Sequence, residues 1–268
     1  MRVDDGVLTT YDVSGGSEPT ELGRLVLDGA RYGELLLTDD TATVIAAQRD
    51  GSTRVVTVDL ADPAAPAVAA TSELSGTSLG ARLHGSAVRI VVANGLPDLR
   101  FVHPNRKRTD EEARRANQAI VRETTLDDWL PTLTEDDASE PLVGCDAVAI
   151  PDEAAGLDTV AVVGFDAATP GERSVQGLLG AADIAYFSAD HLYLASGHGS
   201  GWWGCCEPVP VVRGPWSGVP TLPGSRVADE DLSGTTTLHD LALDGTGTTY
   251  LASGRVDGYV ADRWAMDE

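Results

Sequence analysis

A short strand ending in aspartate returns at a nearly fixed interval, and this recurrence narrows the possible folds more than anything else in the chain. Tyr11-Asp12-Val13 and Val58-Asp59-Leu60 put two such aspartates 47 residues apart. Phe165-Asp166-Ala167 begins a third copy, and Leu241-Ala242-Leu243 a fourth in which the aspartate is lost. A turn rich in Pro, Gly, Asp or Ser follows each start, and then a short strand over 22–27, 68–74, 174–179 or 249–255. Between the copies lie pairs of β segments rich in Val, Leu, Ile and Thr: GELLLT with TATVIAAQ, SLGARLHG with AVRIVVANG, and DIAYFS with HLYLAS. Their turn pairs, Asp39-Asp40, Gly85-Ser86 and Ala189-Asp190, mark hairpins.

Four antiparallel strands in a repeat of about 40–50 residues is the size of a β-propeller blade, a sheet that must stack on its neighbours to bury its faces. The fold class expected is therefore all-β: a β-propeller of four-stranded antiparallel blades, partial, with one helical insertion. The blades are expected over about 33–74, 78–180 and 182–258 of a single domain spanning 1–268. A β-sandwich also has many short strands, but nothing in it repeats an aspartate-ended strand at a fixed interval.

The spacing breaks twice. From Asp59 to Asp166 is 107 residues and from Asp166 to Ala242 is 76, and the surpluses fall at 96–157 and 199–234. Both insertions leave after the second strand of a blade and return at the third, so they should rise from one face of the ring, where loops on a rigid scaffold commonly bind. In the first, Thr109-Asp110-Glu111-Glu112 reads as a capping box. A helix should follow, with Ala113, Ala116, Ile120 and Val121 on one face, and end before Thr125. A second short turn from Thr125 should carry Trp129 before Pro131 stops it.

Composition excludes more than it identifies. Against 42 Asp plus Glu stand 19 Lys plus Arg, a formal charge of −23 that argues against a nucleic acid partner. No apolar run approaches a membrane span, and Met1-Arg2-Val3-Asp4-Asp5 does not begin a signal peptide. The histidines at 84, 103, 191, 198 and 239 have no ligand spacing, and Cys145, Cys205 and Cys206 lack the pairing that zinc requires, so no metal and no cofactor are expected. The carboxylate pairs lack the alternating ligands and glycine of a calcium loop. No Gly-x-Ser-x-Gly elbow supports a nucleophile, and no catalytic residue is assigned.

The sharpest local chemistry is Gly201-Trp202-Trp203-Gly204-Cys205-Cys206-Glu207 in the second insertion. Three arrangements of its thiols are open: a disulfide from Cys145 to one of the pair, a strained bond between Cys205 and Cys206, or free thiols. Trp202, Trp203, Trp129 and His198 are the candidate binding residues, an aromatic surface that a protein, peptide or polysaccharide could meet. The alternative is a redox or hydrolytic enzyme using the Trp-Trp-Gly-Cys-Cys loop at the channel mouth.

Several stretches carry a family resemblance. They are Thr237-Leu238-His239, Tyr250 through Gly254, Val256, Gly258-Tyr259 and the closing Trp264-Ala265-Met266-Asp267-Glu268, with earlier agreement at 125–131, Cys145-Asp146 and 156–160. Together they resemble a bacterial and archaeal family of secreted β-propeller proteins distantly related to WD40 repeats. The resemblance implies an extracytoplasmic or cell-surface location and brings no catalytic residues with it. It also implies further strands beyond Glu268, with the chain beginning on the last two strands of one blade and reaching the first strand of another. Apolar patches along 7–13 and 260–264, and self-association, would follow.

Overall fold

In the computed structural model the described residues are 1–16, 18–153, 156–197 and 234–267. They form four twisted sheets stacked in chain order. The first contains β1 (Arg2–Asp4), β2 (Val7–Asp12) and β3 (Thr20–Val26). The second is built on β4 (Gly33–Leu37), β5 (Thr41–Ala47), β6 (Thr53–Asp59) and β7 (Ala67–Leu74), and the third starts with β8 (Thr77–His84) and β9 (Ala87–Asn94). The chain then departs into the first insertion, which holds α1 (Asp110–Glu123), β10 (Thr132–Glu135), β11 (Ala138–Pro141) and β12 (Val148–Ala149). It returns to the third sheet as β13 (Thr159–Asp166) and β14 (Thr169–Leu179). The fourth sheet is β15 (Ile184–Phe187), β16 (His191–Gly197), β17 (Thr235–Asp244) and β18 (Gly247–Asp257).

Strand alternation makes this stack possible, because side chains two apart share a face. Along β5, Ala42, Val44 and Ala46 pack toward the first sheet, while Ile45 joins Val88, Ile90 and Val92 of β9 in the next interface. Val91 points the other way and meets Leu192, Leu194 and Leu241 of the fourth sheet. The middle sheets thus read as nearly continuous apolar runs because both of their faces are buried. Among the described residues no apolar cluster joins the first sheet to the fourth.

The recurring aspartates have one structural job. They end β2, β6 and β13, and each turns the chain by accepting a backbone N–H two residues on: Asp12 from Ser14 (2.8 Å), Asp59 from Ala61 (2.8 Å) and Asp166 from Ala168 (2.9 Å). Ala242 holds the equivalent place, because Leu243 N–H donates to the Asp190 carbonyl just as Leu60 donates to Asp40 and Ala167 to Ser86. There the β17–β18 hairpin runs two residues further, to Asp244 opposite Gly247, so no side-chain acceptor is needed to end the strand at Ala242.

Turns of one sheet lock onto the next. The Thr10 hydroxyl donates to the Pro63 carbonyl of the second sheet (2.5 Å). Across the third and fourth sheets, the buried Arg89 guanidinium donates to the Gly245 carbonyl. Beside it, a Cβ on Gly164 would lie 2.0 Å from the Thr246 carbonyl oxygen, so only glycine allows this approach.

The helix begins and ends as its sequence predicts. Thr109 caps it, the Thr109 hydroxyl and Glu112 carboxylate satisfy each other's backbone donors, and Thr124 ends it. Its inward side is narrower than the expected face: Ala113 is buried and Ala116 and Ile120 half-buried, but Val121 is exposed.

Other details depart from expectation. The insertion also lengthens the sheets: β10 pairs with β7 and carries β11 outward, giving six strands, while β12 pairs in parallel with β14, giving five. Each addition pairs with two residues of an outer strand, Glu73 and Leu74 of β7 and Gly177 and Leu178 of β14. The first sheet has a third strand, Arg2–Asp4, that short polar residues conceal in the sequence. Where the resemblance implies the first strand of another blade, the described residues after β18 form a 3-10 turn, Arg263–Ala265, in which Asp262 accepts the Trp264 N–H. Of the apolar patches expected, Val13 and Trp264 are exposed whereas Leu8 is fully buried against the second sheet.

Candidate functional site

Both insertions depart from corresponding strand ends, after β9 and after β16, and return at β13 and β17. The β5–β6 and β7–β8 turns lie at this same end of the stack. Between them and the first insertion is an open cleft of about 540 Å³. Asp50, Ser52, Asn94, Leu96, Asp127 and Trp129 are its principal side chains.

The cleft is assembled from tight turns. Gly76 has φ 93°, and a Cβ there would come within 2.5 Å of Asn94 Nδ2 and 2.6 Å of the Ala93 carbonyl oxygen, so glycine lets β9 pass close by. Asn94 Nδ2 then donates to the Ser75 carbonyl (3.0 Å), Thr53 Oγ1 to Gly76 O (2.8 Å) and Thr77 Oγ1 to Gly51 O (3.3 Å). The insertion is tied to the same turn: Thr132 N–H donates to Ser75 Oγ (2.7 Å), and Ser75 N–H to the Thr132 carbonyl (2.9 Å).

Trp129 follows the 3-10 turn Leu126–Asp128, where the Asp128 carboxylate accepts from both the backbone N–H and the hydroxyl of Thr125 (2.7 and 3.0 Å). Its ring is half-buried, and its indole Nε1 donates to Thr124 Oγ1 at 2.8 Å, which fixes the ring against the end of the helix. Leu96 and Leu126 add exposed apolar surface beside it.

The electrostatics are one-sided. Asp50 accepts the Ser52 N–H (3.0 Å) and hydroxyl (2.8 Å), and these bonds hold its carboxyl below the usual carboxylate range. Among the described residues neither Lys, Arg nor His lines the cleft. The Ser52 and Thr77 hydroxyls donate to an acidic side chain and a carbonyl.

Of the residues singled out by sequence, Trp129 stands on this cleft. Cys145 is a free, exposed thiol in the 3-10 turn Cys145–Ala147, beside the outer edge of the third sheet, and no disulfide is present among the described residues. His198, Trp202, Trp203, Cys205 and Cys206, with both disulfide arrangements and the aromatic loop, lie outside the described residues. His239 is buried between the third and fourth sheets, with Nδ1 2.5 Å from Ser253 Oγ, which is in turn 2.8 Å from the Tyr250 hydroxyl. Burial pushes its pKa down. His191 lies on Asp240 at 2.7 Å and stacks on Tyr193.

Sequence reasoning missed Asp50, Ser52 and Asn94. The available signal was positional, since their turns occupy the same strand ends from which the insertions depart.

Stacked antiparallel sheets, locked turn to sheet and carrying their insertions at one end, define a β-propeller architecture. A sequence model described as "Beta propeller domain" matches residues 2–268, and the chain belongs to that family. A comparison with curated proteins finds no match. No helix among the described residues is long and apolar enough to cross a membrane.

Proposed function

We propose that the chain is a non-enzymatic, extracytoplasmic β-propeller module that binds a protein, peptide or polysaccharide through its insertion-bearing face. The observation that carries this reading is the cleft at Trp129. A fixed aromatic ring and apolar edge stand beside polar turns, and among the described lining residues no imidazole or amine stands beside a hydroxyl. Rigid surface of this kind costs little ordering entropy when a partner docks. The extracytoplasmic location is supported by the resemblance of the closing strands to secreted propellers.

The test is a binding screen of the whole chain against panels of peptides and of soluble glycans, with the same mixtures analysed for chemical change. A hit that survives unaltered and is weakened at least about tenfold by Trp129→Ala, without loss of the thermal transition, supports the reading. Turnover of a panel member would overturn it.

A further inference from the structure

We infer that the cleft between the second and third sheets accepts a lysine- or arginine-bearing peptide segment, its ammonium or guanidinium group seated among Asp50, Asp127 and Trp129. This rests on the binding-module reading and names the partner's chemistry.

Hydrogen-bonding capacity separates the ligand classes. Four of the cleft's side chains donate inward: the Trp129 indole to Thr124, the Asn94 amide to Ser75, and the Ser52 and Thr77 hydroxyls to Asp50 and Gly51, while Ser75 and Thr132 also line it. The carboxylates add acceptor capacity at the opening. The exposed Asp127 carboxylate has no hydrogen bond among the described residues, and Asp50 and Asp128 each keep an oxygen beyond those bound within their own turns. Lysine and arginine side chains supply three and five donors and no acceptor. Sugar hydroxyls bring acceptors as well as donors, and those acceptors would find few side-chain partners here.

Three further observations shape the choice. Among the described residues no group of three His, Cys, Asp or Glu side chains could hold a metal ion. The fixed indole provides an aromatic surface that favours a cation alongside it. The cleft, at about 540 Å³, has room for a side chain with its flanking backbone, and the chain's −23 charge steers a cationic segment toward it.

Calorimetric titration of the whole chain at about 0.15 M salt, where long-range attraction is screened, tests this. The probes are a short Gly-Ser peptide carrying two lysines and two arginines, the same peptide with Glu at those positions, spermidine, and cellohexaose. We expect the basic peptide alone to bind, Asp127→Lys and Trp129→Ala each to weaken it at least tenfold, and the opposite-face pair Asp39→Asn and Asp190→Asn to leave it within twofold. Equal weakening by the opposite-face pair would reveal diffuse charge attraction and overturn the site. Spermidine binding without peptide binding would assign the cleft to a free polyamine and overturn the peptide partner. Binding of cellohexaose alone would overturn this inference and leave the module reading standing, whereas cleavage of any probe would overturn that reading itself.

Discussion

The third sheet and the fourth are built from similar strands, yet their surroundings differ. β13 is buried along almost its whole length, whereas β17, the equivalent strand of the fourth sheet, mostly alternates between buried and half-buried positions. The third sheet fills one interface with Val88, Ile90 and Val92 and the opposite one with Val91, Val160 and Val162. The fourth contributes Leu192, Leu194 and Leu241 to a single described apolar cluster and leaves Leu251 and Val256 exposed. In a stacked repeat, stability is close to a sum of sheet stabilities and neighbour interfaces. A sheet with two interfaces therefore holds firmer than one with a single interface, and the cleft lies between the two sheets that have neighbours on both sides.

Replacing Ile90 with alanine should break this contrast most severely. It removes a fully buried side chain from the interface of the second and third sheets and should cost about 2–5 kcal/mol in denaturant unfolding. Leu251→Ala, on the exposed side of β18, should stay within about 0.5 kcal/mol. Equal losses at the two positions would contradict the contrast.

The interface of the third and fourth sheets should respond to acid. His239 has its pKa lowered chiefly by burial, so the folded chain binds its proton less readily than the unfolded chain. Its contribution is fully present above the unfolded value of about 6.5 and is lost as the pH falls through and below it. Thermal midpoints measured from pH 7.5 to pH 5 should fall, and His239→Gln should flatten the part of that slope due to this residue. An unchanged slope in the variant would place the acid sensitivity elsewhere.

A smaller effect distinguishes the repeat's aspartates from their missing fourth member. Asp59→Ala removes a turn acceptor and should cost about 1 kcal/mol. Ala242→Asp, where the hairpin continues, should bring no stabilisation. A gain there matching the loss at Asp59 would show that the hairpin can end early.

These cases also show what was legible in the sequence. The repeat could be seen because a strand that stops must hand its backbone to a turn, and aspartate performs that task at Asp12, Asp59 and Asp166. The capping box at Thr109 fixed the start of α1 for the same local reason. β12, only two residues long, carries almost no pattern of its own and exists through pairing with the distant β14, and β11, ending in Pro141, exists through its hairpin with β10. Trp129 could be singled out because an aromatic on an insertion is conspicuous. Asp50 and Asn94 could not, since they look like ordinary turn residues until the second and third sheets stack.

Hydrogen exchange of the whole chain, resolved by peptide, tests the contrast between middle and outer sheets most directly. The account predicts the slowest exchange in β5, β6, β9 and β13 and faster exchange in β2, β3 and β18, whose sheets lack a second described apolar interface. Protection of β2 and β18 equal to that of β13 would contradict it, because the first and fourth sheets would then have to be packed as closely as the middle pair.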